Sequence, residues 1–545
     1  MSSQHPLPWR LLVSSAALLV LAAAPALAPL LELAANPSGW LAWAEADRVL
    51  NLARTSILVC TLTLLLALPI GTLLGVLLAR TDVPGRPLWT ILLLLTLFLP
   101  APLIAAGWQM LWTTLQLPVA ASVSAKLLAA ATLNAAIALP WIALITGIGF
   151  RSVEPELEEE ALLLAPPWRV FRRVTLARCR AAVGLAAFWV ALLTWQEITI
   201  TDLFQVRTFA EEVYQQFSSG RDELARAVAI AVPVTGLMVL ATTGALLGLR
   251  QLTPERYRLL RPSLVFPLHR ARWCATVFVA MVVAIALGGP IIGLIAKAGL
   301  KYGTAQQPGP PIWSVNVLLD RLAQQFQGKA WLLTESTAQA LVVGLLASIV
   351  ALWLLFLMRE RPRLEIIGLL LAALLIALPG PLLGLGLLVY IEKLIQLPGL
   401  RWLGPLLYDR PSPLPVIWVQ VLRFGPLATL MLWPSVRLIP RAHDEDAWLN
   451  QAGTLRRFAL VYFRPLLGSL LAVALAIGTL ALGELSASKL VATPGQQFEP
   501  LAHHLFQLMH ASADSELAAL SLCLLALVLA TYSGCLLMIR HSERR

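Results

Sequence analysis

The chain has 545 residues, of which 58% are hydrophobic and only 13% charged, with a mean hydropathy of +0.77. Soluble domains carry about 25% charged residues, so the composition excludes a water-soluble globular protein and points to an all-α polytopic membrane protein. A formal charge of +11 would suit a nucleic-acid binder, but the basic residues are distributed by membrane side instead.

Twelve apolar runs are long enough to cross a hydrocarbon core of about 30 Å. They fall near residues 11–32, 55–79, 88–112, 127–149, 181–203 and 225–249, then 274–298, 336–358, 366–390, 413–436, 466–486 and 515–539. With both termini placed in the cytoplasm, 26 Lys and Arg lie on the cytoplasmic side, 14 on the other, and Arg423 within a span. That is the positive-inside bias. The first run is flanked by Arg10 and by Ala24-Pro25-Ala26-Leu27-Ala28, the layout of a cleavable signal peptide. It is longer than the usual apolar region of such a peptide, and keeping it leaves six spans in each half, so it is read as a retained span. The five cysteines have no ligand spacing and read as small apolar fillers, with no metal site. The tryptophans near span ends fit an aromatic belt.

In chain order, Arg80 follows span two, Leu99-Pro100-Ala101-Pro102-Leu103 lies in span three and Pro140 in span four. A polar loop at 151–180 comes next, and Trp195-Gln196-Glu197 ends span five. The set then recurs. Arg359 follows span eight, Leu378-Pro379-Gly380-Pro381-Leu382 lies in span nine, Pro426 in span ten, a second polar loop at 437–465, and Gly483-Glu484-Leu485-Ser486 in span eleven. Early pairs are offset by 279 residues, Pro140 and Pro426 by 286, and later pairs by 287. This predicts two halves, 1–250 and 274–545, joined by a basic linker at 251–273. Six spans per half make the repeats parallel rather than inverted. The four prolines in spans three and nine are expected to bend or break those helices at matching depth, where broken helices border transport paths.

The two polar loops are the most informative segments. Glu158-Glu159-Glu160-Ala161 through Pro166-Pro167-Trp168-Arg169-Val170-Phe171-Arg172-Arg173-Val174 matches Glu445-Asp446-Ala447 through Gly453-Thr454-Leu455-Arg456-Arg457-Phe458-Ala459-Leu460-Val461. Each reads as two short amphipathic helices separated by a breaker, with carboxylates at the start of the first. Alone, one such loop would read as an interfacial helix against lipid headgroups; two at the same place in both halves suit docking to a partner.

The loops resemble the EAA coupling loop of ABC importer permeases. The resemblance assigns Glu158 and Glu445 to the Glu position, Phe171 and Phe458 to the aromatic position, and Val174 and Val461 to the branched position. Glu159, Ala161, Ala165, Ala447 and Gly453 complete the loops, while Leu164 and Gln451 stand where the family carries Gly. Leu78-Ala79-Arg80-Thr81-Asp82-Val83-Pro84-Gly85-Arg86, Arg423-Phe424-Gly425-Pro426-Leu427-Ala428 and Glu484-Leu485-Ser486-Ala487 narrow the resemblance to fused permeases of the ferric-iron type. It implies a type I importer fold of about twelve transmembrane helices in the cell (inner) membrane. It also implies two copies of a cytosolic ATPase on the loops, an extracytoplasmic binding protein, and import of a cargo, ferric iron by resemblance, by alternating access. Thiamine, phosphonate and polyamine permeases share much of the pattern. No phosphate-binding loop occurs, so this chain is expected to be no enzyme and to bind no cofactor, with ATP held by the partner.

Ionisable groups inside a membrane are costly and usually face the bundle interior. Glu197, Glu484, Arg423, Gln196 and Ser486 are therefore the candidate pathway residues, with structural capping as the alternative for the carboxylates and a buried ion pair for Arg423. His503-His504 reads as a solvated loop pair. An ion-gradient-driven transporter of the major-facilitator kind shares the twelve-span, two-half plan, but gives no reason for paired helical loops.

Overall fold

The computed structural model describes residues 9–117, 122–218, 224–252, 263–301, 310–360, 362–492, 500–511 and 513–543. Part of the expected linker, 253–262, lies outside these. The chain is an all-α polytopic membrane protein. Eight helices are long and apolar enough to cross a membrane, and four bent helix pairs raise the number to as many as twelve.

The first part of the chain runs through α1 (Trp9–Ala35), α2 (Ala46–Arg80), α3 (Arg86–Leu97), α4 (Ala101–Thr114) and α5 (Val123–Arg151). The polar loop forms α6 (Pro155–Leu164) and α7 (Pro167–Arg178), which continues into α8 (Arg180–Gln196) through a bend of 56°. Then come α9 (Thr199–Leu203), α10 (Phe209–Ser218) and α11 (Leu224–Leu252). The second part runs through α12 (Ala271–Ala298), α13 (Val315–Gly328), α14 (Ala330–Glu360), α15 (Pro362–Ala377), α16 (Gly380–Gln396) and α17 (Leu414–Leu438). Its polar loop forms α18 (Arg441–Leu449) and α19 (Thr454–Phe463), which bends by 78° into α20 (Leu467–Leu482). The chain ends with α21 (Ser488–Val491), α22 (Leu501–His510) and α23 (Asp514–Glu543).

Spans three and nine break where the prolines lie. The turn from α3 to α4 is 99° and that from α15 to α16 is 111°. Pro100 and Pro379 occupy the positions just before α4 and α16, and Pro102 and Pro381 sit in their first turns. A proline forces the residue before it out of the helical region and offers no N–H, yet suits a first turn. In each case the chain restarts at a steep angle instead of continuing.

The two parts interlock. α2 packs along α5, and α14 packs along α17 and α20. The leading helix of each part crosses to the other, α1 onto α16 and α12 onto α4. The closing helices do likewise, α11 against α15 and α23 against α4, with the Tyr532 hydroxyl donating to the Ile91 carbonyl at 2.9 Å. Between apolar lipid and apolar side chains there is little hydrophobic drive, so tight helix contact rests on small residues. At the α12–α4 seam a Cβ on Gly293 would overlap the Gly107 carbonyl, and at the α1–α16 seam one on Gly386 would overlap the Pro25 carbonyl.

Gly293→Ala therefore forces two backbones apart and should lower thermal stability in detergent by about 1–3 kcal/mol, the usual range for overpacking. Gly184→Ala, on an open face with no atom within 4 Å, should be neutral or slightly stabilising; equal losses at both sites would show that the seam is not close-packed.

Candidate functional site

Each polar loop is fastened to the membrane helices by a basic residue at the end of a long span. Arg80, the last residue of α2, is fully buried; its guanidinium pairs with the buried Glu158 carboxylate and donates to the Phe150 carbonyl at 3.0 Å. The Thr175 hydroxyl donates to the other oxygen of Glu158 at 2.5 Å. In the second part Arg359 on α14 donates to the carbonyls of Val436 and Ile439, at 2.6 and 2.8 Å, and its Nε lies 3.3 Å from Asp444 Oδ2. The Tyr462 hydroxyl reaches Asp444 at 2.8 and 2.9 Å. Thr175 and Tyr462 share the 287-residue offset, so the lock is built from the same four parts: an arginine, an acid, a hydroxyl and freed carbonyls.

The acid of the second lock lies one residue before the position that the offset assigns. Glu445 stands opposite Glu158 in the sequence, but it is exposed, and Asp444 meets Arg359. The shorter aspartate is met by the longer tyrosine. The sites assigned to Gly also differ. Gln451 has φ of 53°, the left-handed turn that Gly adopts without cost, whereas Ala165, just after Leu164, is extended. The second loop keeps a left-handed turn without its glycine; the first turns through Pro166-Pro167.

Phe171 and Phe458 each open a π-helical turn, Phe171–Thr175 and Phe458–Phe463. Such turns re-aim side chains locally and recur at functional sites. Phe458 packs edge-on against Trp353 and Phe356, and Val461 is buried, while Val174 is half-buried. Beyond the locks the tips are apolar and exposed. Leu163, Leu164 and Trp168 are 86%, 90% and 68% exposed, and Trp448, Leu449 and Leu455 are 52%, 71% and 70% exposed. Glu159 is also exposed, as is Gly453, with Ala161, Ala165 and Ala447 half-buried.

The described end of the linker clips onto the first loop. Phe266 N–H donates to the Arg80 carbonyl at 2.8 Å and Leu268 N–H to Asp82 Oδ1 at 2.7 Å. The Phe266 ring stands edge-on to Phe171 and 5.6 Å from the Arg80 guanidinium carbon.

All five candidate pathway residues line one cavity of about 280 Å3 between the two parts of the chain. α8 and α20 end at this cavity, and the chain turns sharply to start α9 and α21. Glu197 accepts from the N–H of Ile200 at 2.9 Å and, more weakly, of Thr201 at 3.4 Å. Glu484 accepts from the N–H of Ala487 at 2.8 Å, from that of Ser488 at 3.0 Å, and from the Ser486 hydroxyl at 3.0 Å. The carboxylates thus cap short helices, the structural role that the sequence allows them, and they also line the cavity. Gln196 Nε2 donates across the molecule to the carbonyls of Ile376 and Ala377, at 2.9 and 3.3 Å, and Arg423 donates to Leu378 at 2.8 Å. These are carbonyls orphaned at the break between α15 and α16. Arg423 makes no ion pair within 4.0 Å among the described residues.

Sequence reasoning missed Asn134, Trp141 and Trp189, which also line the cavity. Asn134 had a signal, since Gln420 matches it at the offset of Pro140 and Pro426. The tryptophans, whose rings lie 5.4 Å apart, were hidden among eighteen. His503 and His504 lie half-buried on α22 rather than in a loop. Beside them, His510 reaches Asp202 at 3.1 Å. Among the described residues no three His, Cys, Asp or Glu side chains cluster to hold a metal. No family model matches this chain, and no curated protein matches its sequence.

Removing one partner of a fully buried pair leaves the other uncompensated, which costs about 3–5 kcal/mol. Glu158→Gln should therefore cost that order of thermal stability, Asp444→Asn clearly less because its lock is partly exposed, and Glu445→Gln no more than about 0.5 kcal/mol. A loss at Glu445 equal to that at Asp444 would contradict the assigned pairing.

On α10, burial and the neighbouring Asp202 and Glu212 push the Glu211 carboxyl up to about 7, against the opposing pull of Arg207. The folded state then holds a proton that the unfolded state has released, so stability falls as pH rises from about 4.5 to about 7 and is level above that. Amide protection in α10, taken relative to the intrinsic exchange rate at each pH, should fall over this window, and Glu211→Gln should flatten the profile; protection that falls on acidification instead would show that Glu211 is not the titrating group.

Proposed function

We propose that this chain is the fused permease of an ATP-driven, binding-protein-dependent importer of the ferric-iron type. Its two parts form parallel six-helix repeats in the cell membrane, with both termini and both polar loops in the cytoplasm. The positive-inside bias supports that orientation. Two copies of a cytosolic ATPase dock on the loops at 151–180 and 437–465, and a binding protein delivers cargo to the outer face. No chemistry is performed on the cargo.

The observation that carries this reading is the doubled lock. Two loops, each fixed to a span by an arginine–acid–hydroxyl set, present exposed apolar tips, and each runs on into a helix that ends at the shared cavity. α8 has 17 residues and α20 has 16, so at 1.5 Å per residue a movement of either loop travels roughly 25 Å to the carboxylates. Closure of the ATPase dimer would draw the loops together and rock the two parts between outward and inward access, a bistable element biased by a ligand. Contiguous apolar exposure on an otherwise charged surface marks a docking site, and a transporter driven by an ion gradient has no use for two.

The test is capture and transport. Tagged chain in detergent should co-purify a subunit that carries a phosphate-binding loop and hydrolyses ATP. Trp168→Asp and Leu449→Asp, both at exposed tips, should each reduce capture and ATP-driven uptake at least tenfold while leaving the chain folded. Uptake in vesicles driven by an ion gradient without ATP, or wild-type chain that captures no ATPase, would defeat the proposal.

A further inference from the structure

Among the polar groups of the cavity, hydrogen-bonding capacity is unequally used. Glu197 and Glu484 each accept from the backbone of the helical turn that follows, and Glu484 also from Ser486. Their oxygens are thereby supplied with donors, and the Glu484 charge also acts on Arg423. Arg423 is the reverse case. A guanidinium has five N–H donors; one of its nitrogens meets the Leu378 carbonyl, and no carboxylate oxygen lies within 4.0 Å among the described residues. The indole N–H of Trp189, also on the lining, has no acceptor among the described residues. Arg423 and Trp189 thus bring unused donors to the cavity.

The two walls are also chemically unlike. Taking Pro140 and Pro426 as register marks, Ile137 stands where Arg423 does, and Trp141 where Leu427 does; all four line the cavity. One wall offers a guanidinium and the other a tilted pair of tryptophans. The volume, about 280 Å3, is close to the lower end of small-molecule sites, which suits a small solute.

We propose that the cavity binds a small solute through a carboxylate or phosphate group held by Arg423, with the rest of the solute against Trp141 and Trp189. The proposal rests on the cavity being the transport path of the importer inferred above, and it deepens that reading. A bare metal cation would meet two carboxylates already engaged as helix caps and a guanidinium that repels it; a metal could enter only within an anionic complex. Guanidinium groups favour planar oxygen anions through paired, charge-assisted hydrogen bonds.

Calorimetric titration of the purified full-length chain in detergent tests this without an ATPase, so its result is independent of whether an ATPase is captured. The probes are inorganic phosphate, citrate, spermidine and short-chain phosphatidylglycerol. Phosphate or citrate should bind, and Arg423→Met should weaken that binding at least tenfold, with Arg423→Lys intermediate. Because Arg423 also holds Leu378, a second variant keeps the test sound. Ile137→Glu leaves that contact in place and should weaken anion binding similarly by setting a negative charge across the cavity. Preference for spermidine, binding of the lipid alone, anion binding unchanged in both variants, or no binding of any probe would each overturn the proposal.

Discussion

A helix broken inside a bilayer leaves carbonyls that have lost their donors, and hydrocarbon supplies no replacement. The α15–α16 break exposes this problem at Ile376, Ala377 and Leu378. The answer comes from two helices of different parts of the chain: Gln196 at the end of α8, and Arg423 in the middle of α17. The α3–α4 break is closed differently, with Gly483 set so tightly against Pro100 that a Cβ there would lie 2.8 Å from the ring. Gln196 and Gly483 are matching positions. Close contact serves both breaks, since Gly380 meets Ser486 as tightly. Among the described residues, however, only the α15–α16 break is also sealed by side-chain hydrogen bonds, and the cavity lies between the two.

A framework repeated in outline thus carries unlike chemistry on its two sides. The locks on the loops show the same division. In the first, arginine and acid are both fully buried and the linker lies over them through Phe266; in the second, both are partly exposed and a tyrosine takes the place of threonine. Both parts bend backbone and hold charge at matching places, because those are demands of the bilayer. The side chains that meet each demand differ, and one wall of the cavity carries Arg423.

Much of this was legible in the sequence, because the strongest signals come from the same solvent constraint. Apolar runs marked the spans, and Pro100 and Pro379 marked the breaks. Glu197, Glu484, Arg423, Gln196 and Ser486 stood out as polar groups with no business in hydrocarbon, and they converge on one cavity. What the sequence hid is what depends on side-chain length or on distant packing. A constant offset points to Glu445, yet Arg359 meets Asp444, since one turn of helix offers neighbouring acids and only the fold decides which faces inward. The crossing of α1 to α16 and of α12 to α4 leaves no periodic trace. Trp141 and Trp189 read as two more members of an aromatic belt until the cavity gives them a place.

The carboxylates show how a residue can cap a helix and line the cavity at once. Glu197 and Glu484 hold the first turns of α9 and α21, which begin only because α8 and α20 stop at the cavity. Any rotation of α8 or α20 must either carry the capped turn along or break hydrogen bonds to backbone N–H groups that have no other acceptor among the described residues. The second course is the costlier in a water-poor interior, so each helix and its capped turn move as one body. In the proposed importer, displacement of a loop then moves a rigid unit that includes the cavity floor, while Gln196 and Arg423 tie that floor to the α15–α16 break in the other part. The hydrogen bonds that satisfy the broken backbone are therefore the links through which the two parts must shift together.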